Sequence, residues 1–210
     1  VAADETPVRP ARLTARGAAT KTRILRAAAD LMYARGVAAT TLEDVRVASG
    51  TSKSQLYRYY PDKDLLVHDV IALQADQVLE RQRHQLQRLH SLRGLERWRD
   101  TIVEGSALRG GPYRCPLGTL ASEVADRNED QRSALADHFA TWRSLLAAGL
   151  TRMRTSGALS PEADPDALAT GLIAALQGGY LLAQVARDVT PMKTALDMAI
   201  DSVRRYASPS

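Results

Sequence analysis

The sequence predicts an all-α fold, and three observations carry that reading. Leu, Ala, Arg, Glu and Gln dominate the 210 residues, and all are good helix formers. No stretch sustains a period-two alternation of apolar and polar residues with β-branched side chains, which a half-buried strand would show. Gly and Pro fall in clusters that punctuate the apolar-periodic segments, at Gly36, Gly50, Pro61, Gly110-Gly111-Pro112, Pro161, Pro165 and Pro191.

The first helix is expected over 18–35. Ile24, Leu25, Ala28, Leu31 and Met32 recur there at steps of three and four, and Gly36 supplies a stop. Thr41-Leu-Glu-Asp44 spells a capping box that opens a short second helix carrying Val45 and Ala48. Gly50 ends that helix in a tight turn that needs positive φ. Ser52-Lys-Ser-Gln55 is a second capping-box spelling and opens a third short helix with Leu56 and Tyr59. Pro61 closes the third helix, and Asp62 can cap a fourth over 63–89. Short helices broken at these intervals, the last two joined across a glycine turn, describe a helix-turn-helix. Further helices are expected near 94–109, 117–126, 130–155, 166–187 and 192–206.

Composition excludes several classes. Apolar residues make up 45% and charged residues 25% of the chain, as in ordinary globular proteins. No run of eighteen apolar residues appears, so no membrane span and no membrane partner is expected. The first residues lack the apolar core of a secretory signal, which points to a cytoplasmic protein with a flexible basic arm over 1–17. One cysteine offers neither an internal disulfide nor a cysteine metal cluster. His68, His84, His90 and His138 are scattered without metal-ligand spacing, and no nucleophile elbow, phosphate loop or dinucleotide fingerprint is present. Neither an enzyme, a metal nor a cofactor is expected. Residues 1–63 carry 11 Lys and Arg against 6 Asp and Glu, whereas the remainder carries 17 against 18. The excess positive charge is confined to the first third, which suits phosphate attraction at one end, or equally an Arg-rich solvated surface.

The stretch TRILRAAADLMYARGVAATTLEDVRVASGTSKSQLYRYYPDKDLL, over 22–66, resembles the DNA-binding region of tetracycline-repressor (TetR) family regulators. The resemblance rests on ILxAAxxL in the first helix, Gly36, Thr40-Thr41, Ala48-Ser49-Gly50, Ser52-Lys53, Leu56-Tyr57, Tyr59-Tyr60, and Lys63 followed by Leu65. Arg46, Thr51 and Ser54 depart from the family pattern, where a small alanine, an aliphatic and a glycine are usual. Arg46 either loosens the packing or points toward phosphates. The resemblance implies a helix-turn-helix DNA-binding domain over 18–63 and a helical ligand-binding and dimerisation domain over 64–210. It implies three partners: double-stranded operator DNA, a small-molecule effector and a second copy of the chain.

In such motifs the second helix of the pair lies in the major groove. The residues placed within reach of DNA are Thr41, Thr51, Ser52, Lys53, Ser54, Gln55, Tyr57, Arg58 and Lys63. Gln55 either reads adenine through its amide or turns back to complete its capping box. Lys53 and Arg58 suit phosphates, Tyr57 and Lys63 match family backbone contacts, and Tyr59 or Tyr60 belongs to the core. Arg12 and Arg16 reach the DNA from the arm, or else belong to a disordered tail.

The resemblance further implies a cavity, for which Trp98, Ile102, Tyr113, Leu117, Leu120, Phe139, Trp142, Gln177 and Tyr180 are candidate lining residues. Each also reads as plain core, and Leu135, Phe139, Trp142, Leu146, Leu150 and Met153 form an apolar stripe at helical spacing. The expected effector is apolar or aromatic with one or two polar groups, and the expected response is release from the operator as helix four tilts. Gly171, Ala175, Gly178, Gly179, Leu182, Leu196, Ile200 and Val203 are candidates for a dimer contact, or for packing within one chain. Tyr113 to Ala121 resembles a CPLGxLA run of one family subgroup. Its Cys115 reads as a thiol sensor or as a buried, inert thiol. The alternative to a ligand-responsive repressor is a helical adaptor or sensor with little sequence-specific DNA binding.

Overall fold

The computed structural model describes residues 14–107 and 113–208. These form nine α-helices: α1 (Ala15–Arg35), α2 (Leu42–Ser49), α3 (Lys53–Tyr59), α4 (Lys63–Leu86), α5 (Leu92–Ala107), α6 (Pro116–Val124), α7 (Glu129–Thr155), α8 (Pro165–Ala186) and α9 (Thr190–Arg204). An isolated antiparallel bridge pairs Leu159 with Ala207. The fold is all-α, as the sequence predicts. Two compact units divide at Val70–Ile71, inside α4.

In the first unit α1 packs on α2 around Ile24, Ala28, Met32, Val45, Leu56 and Tyr60, all buried. Thr14 caps α1 by accepting from the Gly17 N–H, so helix begins three residues earlier than its amphipathic pattern suggests. The rest of the expected arm, with Arg12, lies outside the described residues, and Arg16 sits in the first turn of α1. Arg23 Nε donates to the Ser49 carbonyl at 2.9 Å and fastens α1 to the end of α2. Lys21, Tyr60 and Asp69 form a cluster. The ammonium lies 2.8 Å from the Asp69 carboxylate and over the Tyr60 ring, and the phenol donates to Asp69 Oδ2 at 3.0 Å. Burial and the Asp69 charge raise the Tyr60 pKa strongly. Burial pushes Asp69 upward, but hydrogen bonds from Lys21, Tyr60 and His68 outweigh it, so its carboxyl lies below the ordinary range.

In the second unit α8 packs against α7 and α9, α5 against α9, and α6 against α7. The apolar stripe of α7 is buried at Leu135, Trp142, Leu146, Leu150 and Met153, while Phe139 is half-buried. Two close approaches depend on glycine. A Cβ on Gly149 would lie 2.5 Å from Leu89 Cδ2, and one on Gly179 would lie 2.9 Å from the Met192 Cα. Arg152 donates to the carbonyls of Leu86 and Leu89 at 2.7 and 3.1 Å, satisfying backbone acceptors at and beyond the end of α4. Among the described residues α8 has the length and hydropathy of a membrane span. Its polar Gln177, Tyr180 and Gln184 interrupt any continuous apolar run. Its apolar residues divide between a buried face, with Ala169, Leu172, Leu176 and Ala183, and an exposed one.

Candidate nucleic-acid interface and effector cavity

Two capping boxes set the helix-turn-helix. Thr41 Oγ1 accepts from the Asp44 N–H while Asp44 Oδ2 accepts from the Thr41 N–H, so two free amides at the start of α2 are satisfied reciprocally. The Thr41 hydroxyl donation to Asp44, its backbone amide and Arg35 together hold the Asp44 carboxyl below its usual range. Ser52 and Gln55 repeat the arrangement at α3: Ser52 Oγ accepts from the Gln55 N–H at 3.2 Å, and Gln55 Oε1 accepts from the Ser52 N–H at 3.0 Å. Of the two readings of Gln55, this structure adopts the cap. Gly50 between the helices has φ 61° and ψ 33°, the left-handed conformation the turn requires. Asp62 Oδ1 accepts from the Leu65 N–H at 2.8 Å and caps α4.

Around α3 the structure exposes Ser52, Lys53, Ser54, Gln55, Tyr57 and Arg58 together, with Thr41 exposed at the start of α2. Lys63 is half-buried, its ammonium donating to the Ala38 carbonyl at 3.5 Å. Thr51 is corrected. It is 3% exposed, and its hydroxyl meets Ser49 Oγ at 2.9 Å in the interior, where a hydroxyl has to find a local partner. The Arg46 guanidinium grips Glu43 at 2.7–3.0 Å and donates to the Thr51 carbonyl at 3.4 Å. Tyr60 is the core tyrosine, and Tyr59 is half-buried. Val47, 64% exposed on α2, stands out as a surface residue that the sequence reading assigned no role.

In the second unit a cavity of about 320 Å³ opens at α6, α7 and α8. Phe139, Gln177 and Tyr180, three of the nine candidates, line it together with Arg114, Cys115, Gly118, Thr119, Ala121, Ser122, Leu181 and Gln184. Trp98, Ile102, Leu117, Leu120 and Trp142 are buried but stand outside this lining, as does half-buried Tyr113. The tryptophans have a structural employment instead. Both indole N–H groups donate to Gln82 Oε1, at 2.8 Å from Trp98 and 3.1 Å from Trp142, so one buried amide oxygen satisfies two buried donors. Gln82 carries no sequence signal beyond a polar residue at an inward position of α4. Cys115, at the N-cap position of α6 without a side-chain cap bond, lies in the cavity wall and is buried. Burial raises its thiol pKa against the opposing pull of the Gly118 amide, the Gln177 side chain and the Leu117 amide. That keeps it in the weakly nucleophilic thiol form. No group of three metal-ligating side chains occurs among the described residues.

The proposed dimer residues divide. Leu196, Ile200 and Val203 are buried within one chain on the inner side of α9, and Gly179 is buried against Met192. These four are withdrawn from an intermolecular surface because intramolecular packing already covers them. Gly171 and Gly178 are exposed, with no atom within 4 Å of where a Cβ would stand, and Ala175 is half-buried. The outward face holds Leu182 with three residues the sequence reading missed: Leu181, Val185 and Met198. Each of the four is between 56% and 78% exposed. For Leu181 and Val185 the signal was present in the spacing 171, 174, 178, 181, 185 on α8, two residues out of phase with the inward set.

A short helix pair with a polar, cationic outer face, followed by a larger helical unit with a cavity of its own, defines the class of helix-turn-helix transcriptional regulators. Comparison with known proteins makes that specific. The tetR-family model of bacterial regulatory proteins matches residues 24–70, and the tetracyclin repressor-like C-terminal domain model matches residues 85–199. The chain belongs to the TetR family of DNA-binding transcriptional regulators. An HTH-type transcriptional regulator from the lacX 3′ region of Lactococcus lactis is 29% identical over 184 residues, spanning 85% of this chain and 90% of that protein. The transcriptional regulator AcuR of Cereibacter sphaeroides is 27% identical over 165 residues, 77% of this chain and 75% of its own. Among solved structures, a TetR regulator from Chloroflexus aurantiacus superposes with a TM-score of 0.81 at 25% identity, covering 94% of this chain and all of that one. A regulatory protein TetR from Rhodobacter sphaeroides gives 0.77 at 22% identity over 87% of this chain and 97% of its own.

Proposed function

We propose that the chain is a cytoplasmic homodimeric repressor that holds operator DNA through α3 and releases it when a small effector fills the α6–α8 cavity. The observation that carries the DNA reading is the joint exposure of Ser52, Lys53, Ser54, Gln55, Tyr57 and Arg58 on one rigidly capped helix. Lys53, Arg58 and Lys63 supply phosphate affinity and register, Tyr57 meets the DNA backbone, and Ser54 and Gln55 face the bases. Gln55 reads a base by exchanging its cap partner Ser52 N–H for an adenine edge. The domain limits that go with this reading are 18–63 for DNA binding and 64–210 for sensing and pairing.

Dimerisation is supported by the exposed apolar face of Leu181, Leu182, Val185 and Met198, beside Gly171 and Gly178. Small residues there let two α8 helices approach closely, and the large ones supply the apolar area. Two-fold pairing presents two copies of α3 to half-sites about 34 Å apart, one turn of DNA. The effector lowers operator affinity only insofar as it binds the released state more tightly than the DNA-bound one.

The test is fluorescence-anisotropy titration against a duplex from the chain's own upstream intergenic region, with a scrambled duplex as control. Selective binding that weakens with salt supports the regulator. Equal binding to both duplexes, together with no enrichment in a genome-wide selection of bound fragments, overturns it in favour of a helical adaptor.

A further inference from the structure

We propose that Asp69, which lies outside the DNA face, is a positioning residue for operator recognition. Its carboxylate ties the end of α3 to α1 and α4, and that tie sets the orientation in which α3 meets a base sequence. The proposal rests on the reading of α3 as the DNA-binding helix. Apolar packing alone does little to orient this helix. Of its seven residues Leu56 is buried, Tyr59 is half-buried, and Lys53, Ser54, Gln55, Tyr57 and Arg58 are exposed. One aliphatic side chain anchors a short helix but leaves it free to roll and tilt, because apolar burial is non-directional.

Directional bonds hold the two ends of α3 instead. At its start, Arg46 donates to the Thr51 carbonyl and so links the turn to α2. At its end stands Tyr60, the C-cap residue, fully buried, with its N–H donating to the Leu56 carbonyl. The Tyr60 phenol donates to Asp69 Oδ2 at 3.0 Å, and the Lys21 ammonium of α1 reaches the same oxygen at 2.8 Å. One carboxylate oxygen on α4 therefore gathers α1 and the end of α3. The Lys21 ammonium also lies 5.6 Å from the Tyr60 ring centroid, which closes the cluster. All of these residues belong to the first compact unit.

The chemistry suits a rigid tie. Burial and the neighbouring charge keep the phenol protonated, so it is the donor and Asp69 the acceptor. A hydrogen bond to an ionised acceptor is shorter and stronger than a neutral one, and its direction is fixed. A phenylalanine ring at residue 60 would fill the same core volume, so the hydroxyl contributes direction more than packing. A small roll at the end of α3 would shift Ser54 and Gln55 against the base edges. It would leave the cations Lys53 and Arg58 able to find phosphates, which demand less exact placement.

The experiment begins with a duplex selected from a random-sequence pool by the full native chain. Fluorescence anisotropy then compares native chain and variants on that duplex and on a scrambled one, at a temperature where circular dichroism shows each protein folded. Tyr60→Phe keeps the ring and the net charge. It is expected to weaken the selected duplex by about tenfold, the misalignment of one base contact, and to leave the scrambled duplex and the salt slope unchanged. Asp69→Ala is expected to lose at least as much on the selected duplex. Added to Tyr60→Phe, it should cost less than it does in the native chain, because the two residues act through one bond. If Asp69→Ala does not fold, Tyr60→Phe alone decides. An unchanged ratio of selected to scrambled affinity in Tyr60→Phe overturns the proposal, as does an equal loss on both duplexes or full additivity of the two substitutions. A native chain that selects no duplex overturns the α3 reading together with this one, whereas selective native binding with an indifferent Tyr60→Phe removes the Asp69 tie alone.

Discussion

Gly178 and Gly179 are neighbours on α8, and alanine is expected to change stability in opposite directions at the two positions. Glycine inside a helix costs about 0.5–1 kcal/mol relative to alanine, so either substitution starts from that gain. At Gly178 no atom of the same chain stands within 4 Å of the new methyl, so the gain is kept in the stability of the fold, while any loss falls on the pairing of two α8 helices. At Gly179 the methyl would lie 2.9 Å from the Met192 Cα, 3.0 Å from its Cγ and 3.2 Å from its Cβ. Carbon contacts relax near 3.5–4.0 Å, so roughly 0.6–1 Å of separation is required. The obstructing atom is backbone, and α9 has to move. Overpacking costs about 1–3 kcal/mol, and about 2–3 kcal/mol where backbone has to move, which leaves Gly179→Ala destabilised by about 1–2.5 kcal/mol after the helical gain. Urea denaturation at one protein concentration reads the difference. With a urea slope of about 2 kcal/mol/M, the two variants should differ in midpoint by about 1 M. A Gly179→Ala protein as stable as the native chain refutes the reasoning, because α8 and α9 would then not meet through that glycine. Sedimentation velocity on both variants separates fold stability from dimer strength.

Four other outcomes are expected. Gln82→Leu strands the Trp98 and Trp142 N–H groups and should cost about 2–6 kcal/mol in urea denaturation, at about 1–3 kcal/mol per unsatisfied buried donor. In that background Trp98→Phe should cost less than in the native chain, and equal costs would show the two residues to be uncoupled. Asp69 titrates below the ordinary carboxylate range when folded, so its contribution is present above a pH of about 4 and is lost as pH falls through the lower folded value. The urea-midpoint gap between native and Asp69→Asn should therefore be full at neutral pH and close in acid, whereas a pH-independent gap would mean that the charge plays no part. Lys63→Ala should reduce the salt dependence of DNA binding by about one phosphate and weaken specific and scrambled duplexes alike, as anisotropy at several salt concentrations would show. Leu182→Glu with Val185→Glu should convert the dimer to monomer in sedimentation velocity without loss of helicity, and an unchanged dimer would place the pairing surface elsewhere.

The local signals in the sequence were sufficient for the DNA-binding unit. Capping boxes at Thr41 and Ser52, the Gly50 turn and the Asp62 cap are made by residues within a few positions of one another. Their geometry therefore follows from spacing. Helical periodicity likewise located the inward stripe of α7, since Leu135, Trp142, Leu146 and Leu150 repeat with the turn of the helix.

What needed the tertiary structure was the choice between equivalent faces and partners. Thr51 looked like a groove residue until Ser49 was found beside it, and Arg46 was assigned only when Glu43 was seen to hold it. On α8, periodicity yields an inward and an outward set two residues apart, on opposite faces of the helix. Sequence does not say which one Met192 covers, so Gly179 and Gly178 were read alike. The same limit sent Trp98 and Trp142 to the cavity. Their true partner, Gln82, is 16 and 60 residues away, and a contact over that separation is created by packing rather than by pattern. The sequence by itself thus determined the helices, the capped turns of the DNA-binding unit and the family. Only the folded chain decided which side chains are spent inside it and which are left for DNA, effector or a second copy, because burial depends on what the rest of the chain brings against each face.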